Sequence, residues 1–134
     1  MYRLSHHARL DAETDRLWHA FTRPESLAAW FWPDKEATAS IDLRVGGAWR
    51  IVAPNIGIAV GGRYTLTDEP NRLAFTWIWD EEAMVTQVSI DFTAVGLDLE
   101  HHGFDSAEAR DDHIQGWQDC LSRLPGFLRE SSLD

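Results

Sequence analysis

The amino-acid sequence predicts an α+β fold in which a curved antiparallel sheet wraps around one long C-terminal helix. Residues 105–128 carry apolar side chains at spacings of three and four, which is the pattern of an amphipathic helix. Residues 37–102 instead alternate apolar and polar side chains, and short turn sequences interrupt the alternation. Short turns indicate antiparallel neighbours, and the apolar face of such a sheet can bury the apolar stripe of the helix.

A strand and two short helices are expected before this sheet. Alternation predicts the strand over residues 2–10, and Asp11 is expected to cap the first amphipathic helix. The second helix is expected to begin at a capping box formed by Thr22 and Glu25 and to stop before Pro33. The two short helices therefore separate the first strand from the second.

Six further strands are expected between the short helices and the long one. The strand after the short helices is expected to reach Leu43, and Gly46-Gly47 is expected to make a tight hairpin turn. The clearest strand places four large apolar side chains on one face: Leu73, Phe75, Trp77 and Trp79. In the last strand, His101 is expected to point inward with the alternate residues Leu97 and Leu99.

The long helix is predicted to bury one stripe. Asp105 or Ser106 can cap its start, and Pro125-Gly126 is expected to end or kink it before one last apolar turn. The stripe consists of Ile114, Trp117, Cys120, Leu121, Leu124 and Leu128. This arrangement of sheet and helix is a helix-grip fold, and a pocket remains between them wherever the helix does not fill the curved sheet.

Composition limits the classes of partner. The 134 residues suit a single domain spanning 1–134, and the net charge of -10 with one lysine argues against nucleic acid and anionic membranes. No apolar run is long enough to span a bilayer, and residues 1–15 lack the apolar region of a signal peptide. A single cysteine excludes an internal disulfide and fits a reducing cytoplasm. We therefore expect a cytoplasmic protein.

Four segments in the expected order carry a family resemblance. Residues 20–31 (AFTRPESLAAWF) resemble a signature of the SRPBCC (START-like) superfamily. Residues 42–50 (DLRVGGAWR), 72–77 (RLAFTW) and 101–104 (HHGF), with Gly116-Trp117 later, resemble the proteins similar to the C-terminal domain of the activator of the 90-kDa heat-shock protein ATPase. The resemblance implies the helix-grip (START-like/Bet v 1-like) fold. It does not imply one activity, because that superfamily includes lipid carriers, aromatases and cyclases, hormone receptors and co-chaperone domains.

The inward side chains of the sheet and helix are the candidate ligand-binding residues. They are Trp49, Tyr64, Phe75, Trp77, Trp79, Val88, Ile90, His101, His113, Trp117 and Cys120. The aromatic members fit a cavity wall and an ordinary core equally well. A buried His101 bonded to a backbone or Trp partner, and Cys120 as a small buried apolar residue, are the simpler interpretations. We predict no catalytic residue, metal site or cofactor, because metal-ligand spacings, nucleophile elbows and glycine-rich phosphate loops are absent.

The sequence thus predicts a small domain that binds a hydrophobic or aromatic small molecule between sheet and long helix. The alternative is a chaperone-interacting module, as the family resemblance implies. A third interpretation is an enzyme of the cyclase or aromatase type, for which only His101, His113 and Tyr64 offer acid–base groups. An internal cavity of a few hundred Å³ would favour a ligand or an enzyme, whereas a filled core with an exposed apolar patch would favour a partner protein.

Overall fold

The computed structural model describes residues 1–131. Within this part of the chain, strand β1 (Tyr2–Arg9) leads into helices α1 (Thr14–Thr22) and α2 (Pro24–Trp30). Six strands and the long helix follow: β2 (Thr38–Ile41), β3 (Ala48–Ala53), β4 (Ile58–Asp68), β5 (Arg72–Trp79), β6 (Thr86–Thr93), β7 (Gly96–Phe104) and α3 (Ala107–Ser131).

The seven strands form one curved antiparallel sheet in the order β1-β7-β6-β5-β4-β3-β2. Strand β1 pairs with β7, so the short helices α1 and α2 carry the chain across to β2 at the opposite edge. Helix α3 packs against β1, β7 and α2. The predicted fold class, a helix-grip sheet wrapped around a long C-terminal helix, is confirmed.

Strand β5 faces the way its alternation predicts. Leu73, Phe75 and Trp77 are buried, whereas Ala74 and Thr76 on the other face are partly exposed. The side chain of Thr76 is held in place although it is partly exposed, because its hydroxyl accepts a hydrogen bond from the backbone N–H of Arg63 at 2.9 Å. The apolar face of this strand supplies the centre of the core.

The sheet bends along β4. The pairing of β4 with β5 shifts register between Tyr64 and Leu66, and such an irregularity bends a strand and increases its twist. Just before it, a Cβ on Gly62 would lie 2.1 Å from the carbonyl oxygen of Thr76, so only glycine permits this approach of the two backbones. The bend turns the apolar face of the sheet toward the helix.

Helix α3 continues past the position where the sequence predicts its end. Pro125 lies inside the helix, which runs on to Ser131. Leu124 and Leu128 are both buried, so continued burial of the apolar stripe compensates for the hydrogen bond that the proline removes. Ser106 is the cap, since its hydroxyl accepts a hydrogen bond from the N–H of Ala109 at 3.0 Å. None of the described helices has the length and apolar character that crossing a membrane requires.

The predicted caps of the short helices are wrong. Glu13, not Asp11, precedes α1. The Thr22 hydroxyl bonds to the carbonyl oxygen of Trp18 at 2.7 Å and so closes α1, while Arg23 takes the capping position of α2 without a side-chain bond. Thr22 is the last residue of α1, so the residue that directly precedes α2 is Arg23 and not the threonine.

The connection between β2 and β3 is longer than the predicted hairpin turn. Strand β2 ends at Ile41, and Leu43 is exposed in a loop over residues 42–47. Gly46 adopts a positive φ of 85° there, a conformation that glycine reaches without strain. The predicted strand, which reached Leu43, is therefore two residues longer than the observed β2, which ends at Ile41.

Candidate functional site

A pocket of about 470 Å³ opens between α3 and one end of the sheet. The segment after α2, the loop joining β3 to β4, the end of β5 and one face of α3 form its walls. Five large aromatic side chains line it: Phe31, Trp32, Trp77, Trp79 and Trp117. Pro33, Ile56 and Ile58 add aliphatic surface, and α3 contributes Asp112, His113, Gly116, Asp119 and Cys120.

The tryptophan rings of the pocket pack against one another in fixed orientations. The Trp32 and Trp79 rings are nearly parallel, at an interplanar angle of 14° and a centroid distance of 5.9 Å. The Trp77 ring meets Trp79 edge-on at 5.4 Å and lies 5.2 Å from the Trp117 ring. Offset and edge-to-face contacts of this kind are the preferred geometries of aromatic pairs. The wall is therefore a preformed aromatic surface.

The space deeper in the sheet is filled. A second void, of about 20 Å³, lies beside Trp49, Tyr64 and Phe75, which is room for about one water molecule. Phe31, Trp77 and Trp117 border both spaces and separate them. The cavity between sheet and helix therefore lies at one end of the helix-grip, and aromatic core occupies the centre.

The structure divides the sequence-predicted site residues into three groups. Five of them line the pocket: Trp77, Trp79, His113, Trp117 and Cys120. Three line the small inner void: Trp49, Tyr64 and Phe75. The remaining three, Val88, Ile90 and His101, are buried and border neither space.

Two walls of the pocket were not among the sequence-predicted site residues. Phe31, Trp32 and Pro33 follow α2, whereas Ile56 lies in the connection between β3 and β4 and Ile58 is the first residue of β4. Neither segment has the periodicity of a strand or a helix. The available signal was the run of three aromatic residues, Trp30-Phe31-Trp32, before Pro33, which is unusual for a solvated loop.

Asp34 holds two of these walls together. Its carboxylate accepts hydrogen bonds from the backbone N–H and the side-chain amide of Asn55, both at 2.8 Å, and from the N–H of Glu36 at 2.9 Å. Burial acts to raise the pKa of Asp34, but these hydrogen bonds together hold it below its ordinary value. Asp34 follows Pro33, and Asn55 precedes Ile56. The hydrogen bonds between Asp34 and Asn55 therefore fix the distance between the segment after α2 and the connection between β3 and β4.

Arg123 fastens α3 to the end of α2. Its Nε and Nη2 donate to the carbonyl oxygens of Trp30 and Phe31, at 3.2 and 2.8 Å, and its Nη1 donates to Asp119 at 3.1 Å. The last carbonyl groups of a helix have no partner within the helix, so a cation is favourable there. Arg123 therefore satisfies the end of α2 and sets the position of Phe31 in the pocket wall.

His113 positions Trp79. The indole Nε1–H of Trp79 donates to Nε2 of His113 at 2.9 Å, and Nδ1 of the same ring lies 2.7 Å from the carbonyl oxygen of Ala109. A ring whose Nε2 accepts carries its proton on Nδ1, so Nδ1–H donates to Ala109. Both nitrogens of His113 are thereby engaged with the protein itself.

His101 lies beneath the pocket as the centre of a buried chain of hydrogen bonds. Trp117 Nε1–H donates to its Nδ1 at 3.0 Å, so the ring proton is on Nε2 and donates to the Thr86 hydroxyl at 2.7 Å. Thr86 then donates to the carbonyl oxygen of Trp77 at 3.3 Å. Burial, with the nearby His113 and His102, lowers the pKa of His101 to about 2. His101 is therefore a neutral residue that orients Trp117.

The Cys120 thiol and the Tyr64 hydroxyl are also neutral. Burial raises the pKa of the Cys120 thiol to about 12, so it is protonated at neutral pH and is a poor nucleophile. Burial also raises the pKa of Tyr64 far above its ordinary value. Within residues 1–131, no three His, Cys, Asp or Glu side chains converge as the ligands of a metal ion would. The main features of the site are therefore its shape and its apolar surface, and not reactive side chains.

One polar atom at this site has no partner. Trp77 is 5% exposed, and its Nε1–H is the buried side-chain donor that finds no acceptor among the described residues. Leaving such a group unsatisfied costs about 1–3 kcal/mol. Trp77 borders both the pocket and the inner void, so the unsatisfied indole belongs to the wall that separates them.

Comparison with known families decides the family of this chain. The family described as "Activator of Hsp90 ATPase homolog 1-like protein" matches residues 11–129. The chain belongs to this family. The match covers both short helices, strands β2 to β7 and nearly all of α3. A comparison with curated proteins finds no match.

Solved structures similar to this member of the Activator of Hsp90 ATPase homolog 1-like family share its fold. Protein CV1439 from Chromobacterium violaceum is 26% identical, with a TM-score of 0.76, and the match covers 92% of this chain and 94% of that one. PFC0360w, an HSP90 activator from Plasmodium falciparum, is 18% identical, with a TM-score of 0.79 over 94% and 95% of the two chains. DynU16, from the dynemicin biosynthetic locus, is 21% identical, with a TM-score of 0.79 over 95% of this chain and 47% of that one.

Proposed function

We propose that this chain binds a hydrophobic or aromatic small molecule in the pocket between α3 and the end of the sheet. The observation that carries the proposal is the pocket itself, about 470 Å³ in volume and lined mainly by tryptophan and other apolar side chains. Small-molecule sites are typically clefts of about 300–1,000 Å³ that are mostly apolar, with a few polar groups that orient the ligand. The polar side chains at the edge of this pocket are Asp112, His113 and Asp119.

Gly116, one of the two glycines in α3, supports the same proposal. A glycine inside a helix costs about 1 kcal/mol relative to alanine, so one at the pocket calls for a reason. Apart from the adjacent residues and the backbone of α3 itself, no atom lies within 4 Å of a Cβ built on Gly116, so close packing against another element is not the reason. Gly116 lines the pocket, and any side chain there would project into open space at its edge. A glycine at position 116 is explained if the absence of a side chain keeps the pocket accessible to a ligand.

Binding to a chaperone is the second candidate, and the family description favours it. The structural neighbour called an HSP90 activator shares only 18% of its residues with this chain, which is evidence of fold and not of partner. Several large apolar side chains are exposed. Tyr2 lies in β1 and Leu66 in β4, and others lie in connections: Leu43 and Val45 before β3, Ile56 before β4, Val85 before β6 and Val95 before β7. These residues come from different parts of the chain, and a chaperone surface would have to combine several of them.

An enzyme of the cyclase or aromatase type has less support in the pocket. His101 is buried and neutral, and both nitrogens of His113 are bonded to protein atoms. Tyr64 lines the inner void and not the pocket. Asp112 and Asp119 are exposed carboxylates at the pocket edge. General acid–base catalysis needs a group within hydrogen-bond reach of the reacting atom, and the aromatic walls provide none. We infer a binding protein, in a cytoplasmic setting that suits its one free thiol.

A thermal-shift screen of neutral polycyclic aromatics, sterols and fatty acids tests the proposal. A bound compound should raise the melting temperature in proportion to its concentration, because ligand at 100 times its dissociation constant stabilises by about 2.7 kcal/mol. Gly116→Phe fills the pocket edge and should abolish the shift. Gln115→Phe adds the same ring at the neighbouring exposed position outside the pocket and should leave the shift intact.

The two variants separate pocket binding from general adhesion to apolar surface. Gly116→Phe should fold at least as well as the wild type, since nothing crowds its Cβ and phenylalanine favours the helix more than glycine does. No shift of the wild type by any compound, or equal shifts in Gly116→Phe, would remove the pocket as the binding site. A chaperone partner would then be the remaining candidate.

A further inference from the structure

The charged side chains that line the pocket are both carboxylates. Asp112 and Asp119 stand seven residues apart on α3 with Gly116 between them, a spacing of four and three that places all three on one side of the helix. His113 also lines the pocket, with both of its nitrogens bonded to the protein. No Lys or Arg is part of the lining. The edge of the pocket is therefore acidic.

The two carboxylates differ in what surrounds them. Asp119 is 3.1 Å from Nη1 of Arg123, so its charge is partly offset. Arg123 also donates hydrogen bonds to the carbonyl oxygens of Trp30 and Phe31. Within residues 1–131, the carboxylate of Asp112 has no ion pair or side-chain hydrogen bond, although its backbone belongs to α3. The net charge at the pocket edge is thus negative, and Asp112 is the carboxylate free to meet a ligand.

The walls behind this acidic edge also suit a positive charge. Trp32, Trp77, Trp79 and Trp117 border the pocket. The face of a tryptophan ring is its electron-rich side, and it attracts ammonium groups more strongly than the other aromatic side chains do. Aromatic surface next to an unpaired carboxylate is the combination that recognises alkylammonium groups in proteins.

We propose that the ligand of this pocket is an amphipathic cation, with an aromatic or aliphatic body against the tryptophans and an ammonium group beside Asp112. This inference rests on the proposed function, because it names the class of molecule that the same pocket takes. Fatty acids and other anionic amphiphiles are disfavoured, since their carboxylate would face Asp112 and Asp119 without a compensating cation. The protein would then select by charge among ligands of similar shape.

Three naphthalene compounds of closely similar size test this selection by isothermal titration calorimetry. They are naphthylmethyl-trimethylammonium, naphthylmethanol and naphthylacetate. The cation should bind about tenfold more tightly than the alcohol, and the anion more weakly than both, because one close charge pair and one cation–π contact each contribute a few-fold. The preference for the cation should shrink between about 0.05 and about 0.5 M salt, since screening weakens exposed charge pairs.

Two isosteric variants locate the charge that is responsible. Asp112→Asn should weaken binding of the cation about three- to tenfold and leave the alcohol unchanged. Asp111→Asn removes the same charge from the adjacent residue, which is outside the pocket and paired with Arg110, and should leave all three affinities unchanged. An equal loss in both variants would show that only the overall charge of -10 matters, and would overturn the proposal.

The remaining outcomes separate this inference from the proposed function. If all three compounds bind equally and Gly116→Phe abolishes binding of each, the pocket binds apolar molecules but the selection for cations is refuted. If the anion binds most tightly, the selection is also refuted. If none of the three compounds binds, both the selection and the pocket itself as a site for aromatic ligands are overturned.

Discussion

At the scale of single residues, hydrogen bonds decide what the two histidines near the pocket do. Each ring accepts an indole N–H with one nitrogen and donates with the other: His113 between Trp79 and Ala109, and His101 between Trp117 and Thr86. Each histidine therefore holds one tryptophan of the pocket in place. The geometry assigns them to the support of an aromatic wall and not to proton transfer.

Titration of stability with pH tests the state of His101. Its pKa is about 2 in the folded protein and about 6.5 in the unfolded chain, so below pH 6.5 only the unfolded chain takes up the proton. The contribution of His101 to stability is complete above pH 6.5 and falls by about 1.4 kcal/mol per pH unit as the pH drops below it. His101→Gln keeps a donor and an acceptor but does not titrate, so its unfolding free energy should depend less steeply on pH.

Denaturant unfolding of both proteins between pH 6.5 and about pH 4.5 measures this difference. His102→Gln, at the neighbouring exposed position in β7, is the matched control and should parallel the wild type. If His101→Gln also parallels the wild type over this range, His101 is able to take up a proton in the folded state, and the buried hydrogen-bond chain described above is incorrect.

At the scale of elements, the pocket depends on how α3 is fastened to its surroundings. The helix presents the pocket face between Asp112 and Cys120, and Arg123 ties the following turn to the end of α2. The two contacts to α2 come from the planar fork of one guanidinium, which an ammonium group cannot reproduce. The position of α2, and with it Phe31, therefore depends on the chemistry of this one side chain.

Arg123→Lys tests this dependence. The variant keeps the charge near Asp119 but loses at least one hydrogen bond to the end of α2, so it should lower the free energy of unfolding by about 1–3 kcal/mol. Arg110→Lys makes the same substitution on the same helix, where the arginine pairs with exposed Asp111, and should cost less than about 0.5 kcal/mol. Equal losses in the two variants, measured by denaturant titration, would show that Arg123 does not hold α2.

The sequence predicts the regular elements better than the pocket, for a physical reason. The alternation from Leu73 to Trp79 and the spacing from Ile114 to Leu128 arise from burial of one face, and burial is what organises β5 and α3. The walls formed by residues 31–33 and 56–58 show no such periodicity. Their positions depend on single hydrogen bonds, such as those from Asn55 to the Asp34 carboxylate and from Arg123 to the carbonyl oxygen of Phe31. Residues far apart in sequence make those contacts, so no local pattern reports them.

At the scale of the whole molecule, the helix-grip explains why the pocket is where it is. The sheet closes on α3 through β1 and β7, and the aromatic core of β3, β4 and β5 fills the centre down to a void of about 20 Å³. Space remains at the end where β5 finishes and the chain after α2 crosses toward β2. The molecule has a net charge of -10, and Asp112 and Asp119 contribute negative charge at this opening.

The indole N–H signals of the seven tryptophans, observed by ¹H–¹⁵N NMR during addition of naphthylmethanol, test the central claim most directly. Binding in the pocket should shift the signals of Trp32, Trp77, Trp79 and Trp117, which line it. The signals of Trp18 and Trp30, which are buried elsewhere, serve as internal controls and should remain in place. Shifts confined to Trp18 and Trp30, or no shift at any indole up to the solubility of the compound, would contradict the assignment of this pocket as the ligand site.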